Sequence, residues 1–97
     1  QAISAKFKRD NDLDYTPEQI VVSTGAKQSL ANVILSLVNP GEEVIIPAPY
    51  WVSYAEQSKL AKGKTVVIET NLESGFKITP EQLKNAMTNK SRLMIFS

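Results

Sequence analysis

Apolar residues along this chain fall into two alternating spacings. Leu30, Val33, Ile34, Leu37 and Val38 recur at helical intervals and predict an amphipathic helix just after Gly25. Four short runs are β-branched or nearly continuous in apolar residues and predict strands: Ile20-Val21-Val22, Glu43-Val44-Ile45-Ile46, Thr65-Val66-Val67-Ile68-Glu69 and Arg92-Leu93-Met94-Ile95-Phe96-Ser97. A weaker helical pattern, Val52, Ala55 and Leu60, closes at Lys62-Gly63, and a short helix carries Leu83, Ala86 and Met87. Gln1 to Asn11 reads as the tail of a helix, with Ile3 and Phe7 on one face and Lys6, Lys8 and Arg9 turned to water.

Local punctuation supports these elements. Thr16-Pro17-Glu18-Gln19 and Thr79-Pro80-Glu81-Gln82 are both capping boxes, with a Thr cap, Pro at the first position and Gln three residues on. The first opens only a short turn, because β-branched residues follow it. Asn39-Pro40-Gly41 stops the long helix, Pro47-Ala48-Pro49 ends the second strand, and Asn71 to Lys77 is a loop turning at Gly75.

Strands alternating with helices predict an α/β fold, an αβα layered arrangement around a mainly parallel sheet with right-handed crossovers. Ligands in such sheets bind at the carboxyl ends of the strands. Thr24-Gly25-Ala26 and Tyr50-Trp51 both fall at that rim. No N-cap precedes the first helix and the last apolar strand carries no cap, so residues 1–97 are expected to be an internal fragment of a larger domain. Uncovered strand edges in such a piece would invite self-association.

Composition narrows the chemistry. At 97 residues the chain is at most one domain, and its net charge of +1 argues against a general nucleic-acid or membrane-surface binder. The chain has no Cys and no His, which removes disulfides, thiolate or imidazole metal sites, and Ser-His-Asp or Cys-His catalysis within it. No apolar run reaches spanning length, and a cytoplasmic location is the expectation.

One device remains. A strand entering a glycine turn at a helix start presents unpartnered N–H groups and the positive end of the helix dipole to an anion. Gly25 would let a phosphate approach the backbone closely. The plainer alternative is that Ser23 or Thr24 caps the helix and Gly25 only turns the chain. Neither the P-loop nor the Gly-x-Gly-x-x-Gly pattern is present. Trp51, after the next strand, is either an aromatic plate for a ring whose phosphate sits on the glycine turn or an apolar anchor in the core or an interface.

Three runs carry a resemblance to a known family: Ser23-Thr24-Gly25-Ala26-Lys27-Gln28, Asn39-Pro40-Gly41-Glu42-Glu43-Val44 and Pro47-Ala48-Pro49-Tyr50-Trp51-Val52-Ser53-Tyr54. Over essentially its whole length the chain resembles the class I aminotransferases, fold-type I enzymes that depend on pyridoxal 5'-phosphate, and among them the bacterial aspartate aminotransferases. The resemblance implies that residues 1–97 belong to the large, cofactor-binding domain. It implies that Gly25, Ala26 and Lys27 bind the cofactor phosphate, and that Trp51 stacks on the pyridine ring and borders the substrate. Ala55 stands where close relatives often carry proline.

The resemblance also implies amino-acid and 2-oxo-acid substrates, aspartate foremost, and a homodimer, with no nucleic-acid or membrane partner. The lysine that bonds the cofactor, the acid facing the pyridine nitrogen and the substrate-gripping arginine are expected downstream of Ser97. A tyrosine reaching the neighbouring subunit's phosphate is expected before Gln1. Lys27 is a candidate nucleophile by residue type, but its position matches the phosphate turn. No catalytic residue is therefore assigned within the chain, and the segment alone is expected to be inactive. Competing readings are another fold-type I enzyme, such as a C–S lyase or an acyl-CoA-dependent synthase, an aminotransferase-like effector domain of a transcription regulator, and a non-enzymatic anion-binding module.

Overall fold

The computed structural model describes residues 1–97. Its elements are helix α1 (Ala2–Asn11), a 3-10 turn at Pro17–Gln19, helix α2 (Ala26–Leu37), strand β1 (Glu43–Pro47), helix α3 (Val52–Leu60), strand β2 (Lys64–Ile68), helix α4 (Pro80–Ala86) and strand β3 (Ser91–Met94). The three strands form one sheet in the order β2-β1-β3, parallel throughout.

β1 is the central strand and is buried from Glu43 to Ile46. Alternation sends Val44 and Ile46 to one face, where they pack with Ile34 and Val38 of the α2 region, Tyr54 and Ala61 of the α3 region, and Ile95. Ile45 points to the other face and lines a groove with Leu83 and Met87 of the α4 region. Helices thus cover both faces, the αβα layering expected from the sequence. Both capping boxes form: Gln19 accepts from the Thr16 N–H and Gln82 from the Thr79 N–H, each at 2.9 Å.

The pairing of β1 with β3 slips at its start, so that Glu43 faces Ser91 and Val44 faces Leu93. Arg92, the residue skipped, donates from Nε to the Leu37 carbonyl at 3.1 Å and lies 3.8 Å from Glu42. A guanidinium on the last carbonyl of α2 satisfies an end the helix cannot satisfy itself, and it complements the negative end of the dipole. This contact fixes the C-terminus of α2 against the sheet.

Three expectations need correction. Ile20-Val21-Val22 is not a strand, and Val21 and Val22 are 83% and 75% exposed. β-branched residues favour extended backbone, but a strand exists only with a neighbour to pair with, and none of β1, β2 or β3 runs beside this segment. The sheet therefore has three strands, not four. Second, α3 does not bury Val52 and Leu60, which are 66% and 67% exposed. Its inner face is Tyr54, Ser58 and Ala61, spaced i, i+4, i+7, and the buried Ser58 hydroxyl is satisfied by the Tyr54 carbonyl at 2.9 Å. Third, β3 ends at Met94, although the Ile95 N–H still donates to the Ile45 carbonyl at 3.0 Å.

Candidate functional site

The turn at Gly25 is built by backbone conformation. Gly25 caps α2 with φ 85° and ψ 161°, a region that is essentially closed to residues with a Cβ. Its N–H folds back onto the Ser23 carbonyl at 2.9 Å. Neither Ser23 nor Thr24 caps the helix through its side chain. Instead the Gln28 side chain reaches back and accepts from the Thr24 N–H at 2.5 Å. The capping alternative for these two hydroxyls is therefore not what forms.

Gln28 leaves the helix end open. The N–H groups of Ala26, Lys27 and Gln28 point out of the first turn, where an α-helix provides no partner, and no side chain accepts from them. Nothing lies within 4 Å of where a Cβ on Gly25 would stand. Gly25, Ala26 and Lys27 are all exposed. The result is a cradle of donors at the positive end of a 12-residue helix.

Trp51 reaches the same mouth from the next strand. β1 ends at Pro47, and Pro47-Ala48-Pro49-Tyr50 carries the chain across the rim to Trp51, the N-cap of α3. The segment is anchored to β2: the Ala48 N–H donates to the Ile68 carbonyl at 2.9 Å, and the Thr70 hydroxyl donates to the Ala48 carbonyl. Ala55 is accommodated within the first turn of α3, which begins at Val52. The Trp51 indole packs edge-on against Tyr54, with ring centroids 5.9 Å apart, and remains 46% exposed. Trp51 is thus not a core anchor.

The structure brings the predicted residues together. Lys27 Nζ lies 4.6 Å from the Trp51 ring centroid, a cation–π contact linking the first turn of α2 to the cap of α3. A second link was not anticipated from sequence. Gln57 Nε2, on α3, donates to the Lys27 carbonyl at 2.9 Å. A glutamine among polar residues on a helix reads as solvent-facing, and a partner thirty positions away leaves no local pattern.

Charges displaced from their ordinary values lie elsewhere. Lys59 is shifted upward by its hydrogen bond to Glu56 and by that carboxylate's charge. Arg9 is shifted upward by its hydrogen bond to Asp10, and Glu18 downward by a backbone hydrogen bond and then the Thr16 hydroxyl. No cluster of Asp and Glu is placed to hold a metal ion, and no helix is long and apolar enough to cross a membrane.

The arrangement suits a flat ring that carries a phosphate. The donor cradle and Lys27 supply hydrogen bonds and charge for the anion, and the exposed indole supplies an apolar plate beside it. Pyridoxal 5'-phosphate is one ligand with both features.

Comparison with known proteins places the chain in a family. Residues 1–97 match the family described as aminotransferase class I and II. The chain is 55% identical over 97 residues to an aspartate aminotransferase from Bacillus sp. strain YM-2, covering all of this chain and 25% of that protein. It is 52% identical over 95 residues to an aspartate/prephenate aminotransferase from Nitrosomonas europaea, covering 98% of this chain and 24% of that one. Among solved structures, the aspartate aminotransferase from Rhizobium meliloti superposes with a TM-score of 0.92 at 45% identity, over 96% of this chain and 23% of that one. The Thermus thermophilus aspartate aminotransferase with maleate gives 0.92 at 42% identity, over 96% and 24%. The chain spans about a quarter of the length of these relatives. With the family matched from its first residue to its last, the chain belongs to the class I and II aminotransferases.

Proposed function

We propose that the protein to which this chain contributes is a pyridoxal-phosphate-dependent aminotransferase. It moves an amino group from an amino acid, aspartate foremost, to a 2-oxo acid, and works as a homodimer in the cytoplasm. Residues 1–97 form part of its cofactor-binding domain. The carrying observation is the Lys27–Trp51 contact at 4.6 Å, which unites the open helix end and the exposed indole at one mouth.

Each residue has a stated task in this reading. The N–H groups of Ala26 and Lys27 hold phosphate oxygens, Gly25 admits the phosphate close to the backbone, and the Lys27 ammonium offsets its charge. The Trp51 indole would cover one face of the ring and border the substrate, excluding water from that side. When bound, pyridoxal phosphate supplies an electron sink for the pair of electrons left on the substrate's α-carbon. The chain's own share would be orientation: the Gly25–Lys27 turn would hold the phosphate and Trp51 would hold the ring face, fixing the group at two points.

The test is amino-group transfer by the full-length protein from aspartate to 2-oxo acids, followed by appearance of the new amino acid. Turnover is expected with wild type and a clear loss with Trp51→Ala. Elimination or acyl transfer in place of amino transfer, or undiminished turnover in Trp51→Ala, would overturn the reading.

A further inference from the structure

We propose that Gln57 is a positioning residue, a strap that sets the distance between the phosphate cradle and the indole. This rests on the cofactor reading above. The cradle belongs to the first turn of α2 and the indole caps α3, so the span between them depends on how those helices are docked.

Towards the C-terminus of α2 the docking is apolar, and it reaches Tyr54 in the first turn of α3. Ile34 and Val38 from the α2 region meet Tyr54 and Ala61 from the α3 region in the core. Apolar contact is not directional and does not by itself single out one partner atom. At the first turn of α2 the fixing is polar: the Gln57 Nε2–Lys27 carbonyl bond is the side-chain hydrogen bond that joins α2 to α3. It grips the carbonyl of the very residue whose N–H faces the proposed phosphate and whose ammonium lies over the indole. The Gln57 Oε1 is buried and has no partner, so the Lys27 carbonyl is what orients the amide. Reversing that amide would set two carbonyl oxygens against each other.

A strap of this kind matters only to a ligand that uses both ends. A phosphate alone needs the cradle, and a ring alone needs the indole. A ring joined to a phosphate needs the two at a fixed spacing, and gains from their being held there in advance.

The test uses the full-length protein freed of cofactor and three probes that form no covalent bond with it: pyridoxine 5'-phosphate, pyridoxine and inorganic phosphate. Dissociation constants are measured by titration calorimetry for wild type, Gln57→Met, which keeps length without the amide, and Gln57→Leu. Melting curves without ligand confirm that each variant is folded. The expected result is that both variants bind pyridoxine 5'-phosphate more weakly by a factor of about 2 to 10, the loss of one neutral hydrogen bond, while pyridoxine and phosphate change by less than about twofold. Unchanged affinity for the phosphate ester in both variants, or an equal loss for all three probes, would overturn the strap. Wild type that binds the ester no more tightly than its two halves would overturn the cofactor reading itself, a result visible before any variant is compared.

Discussion

Gly25 is the residue whose identity the backbone most strictly demands. Its φ of 85° with ψ 161° excludes a side chain on conformational grounds, although the space a Cβ would enter is empty. Strain and steric filling therefore separate here. Gly25→Ala is expected to lower stability by about 1–3 kcal/mol in urea unfolding of the full-length protein, through backbone strain alone. If a phosphate lies against the backbone at this point, the methyl group also obstructs it, and affinity for inorganic phosphate falls. A variant of unchanged stability would show that the turn relaxes. At this scale the sequence was informative: glycine before a helix and an aromatic after a strand are backbone-level signals that a linear reading can find. Gln57 was not legible, because its meaning lies in a carbonyl thirty positions away.

Among the elements, α2 and the sheet are where burial decides. Ile34, Val44 and Ile46 are fully buried, and the helical spacing that predicts α2 correctly places Ile34 and Val38 inward. Val33 and Leu37 share that spacing yet are 45% and 46% exposed, so the stripe is wider than the face the sheet covers. The loop between α3 and β2 shows packing at its tightest. A Cβ on Gly63 would stand 2.8 Å from Val38 Cγ1 and 3.2 Å from the Ser58 carbonyl oxygen. Gly63→Ala is expected to destabilise by about 1–3 kcal/mol, read as a lower urea midpoint with unchanged slope. Equal midpoints would mean that Val38 can turn aside at no cost. The misread segment, Ile20 to Val22, is the counterpart: its residues favour a strand, but pairing is a property of the sheet and not of the segment. The α3 face was misread for a related reason, since Ser58 is polar by composition and buried by virtue of its bond to Tyr54.

For the whole molecule, the alternation of strands and helices was enough to give the layered parallel architecture, because parallel strands need crossovers and the crossovers here are helical. What that alternation does not give is closure. β2 and β3 are both sheet edges, and Val21, Val22, Leu35 and Phe96 stand 83%, 75%, 52% and 74% exposed. Residues 1–97 expressed as a separate chain are therefore expected to associate, with sedimentation giving a mass that rises with concentration, and to show no amino-group transfer. A stable monomer at all concentrations would show that these surfaces are not sticky, and turnover by the separate chain would place a catalytic residue within it.

The central claim is that phosphate and ring are held at one mouth, the first by the Gly25–Lys27 turn and the second by Trp51. Its most direct test is the tryptophan emission of the cofactor-free full-length protein during titration with pyridoxine 5'-phosphate or with pyridoxine, using Trp51→Phe as the blank. The account predicts saturable quenching that depends on Trp51 and reaches half-maximum at much lower concentration for the phosphorylated ring. Quenching that survives in Trp51→Phe, or equal half-points for the two ligands, would contradict it.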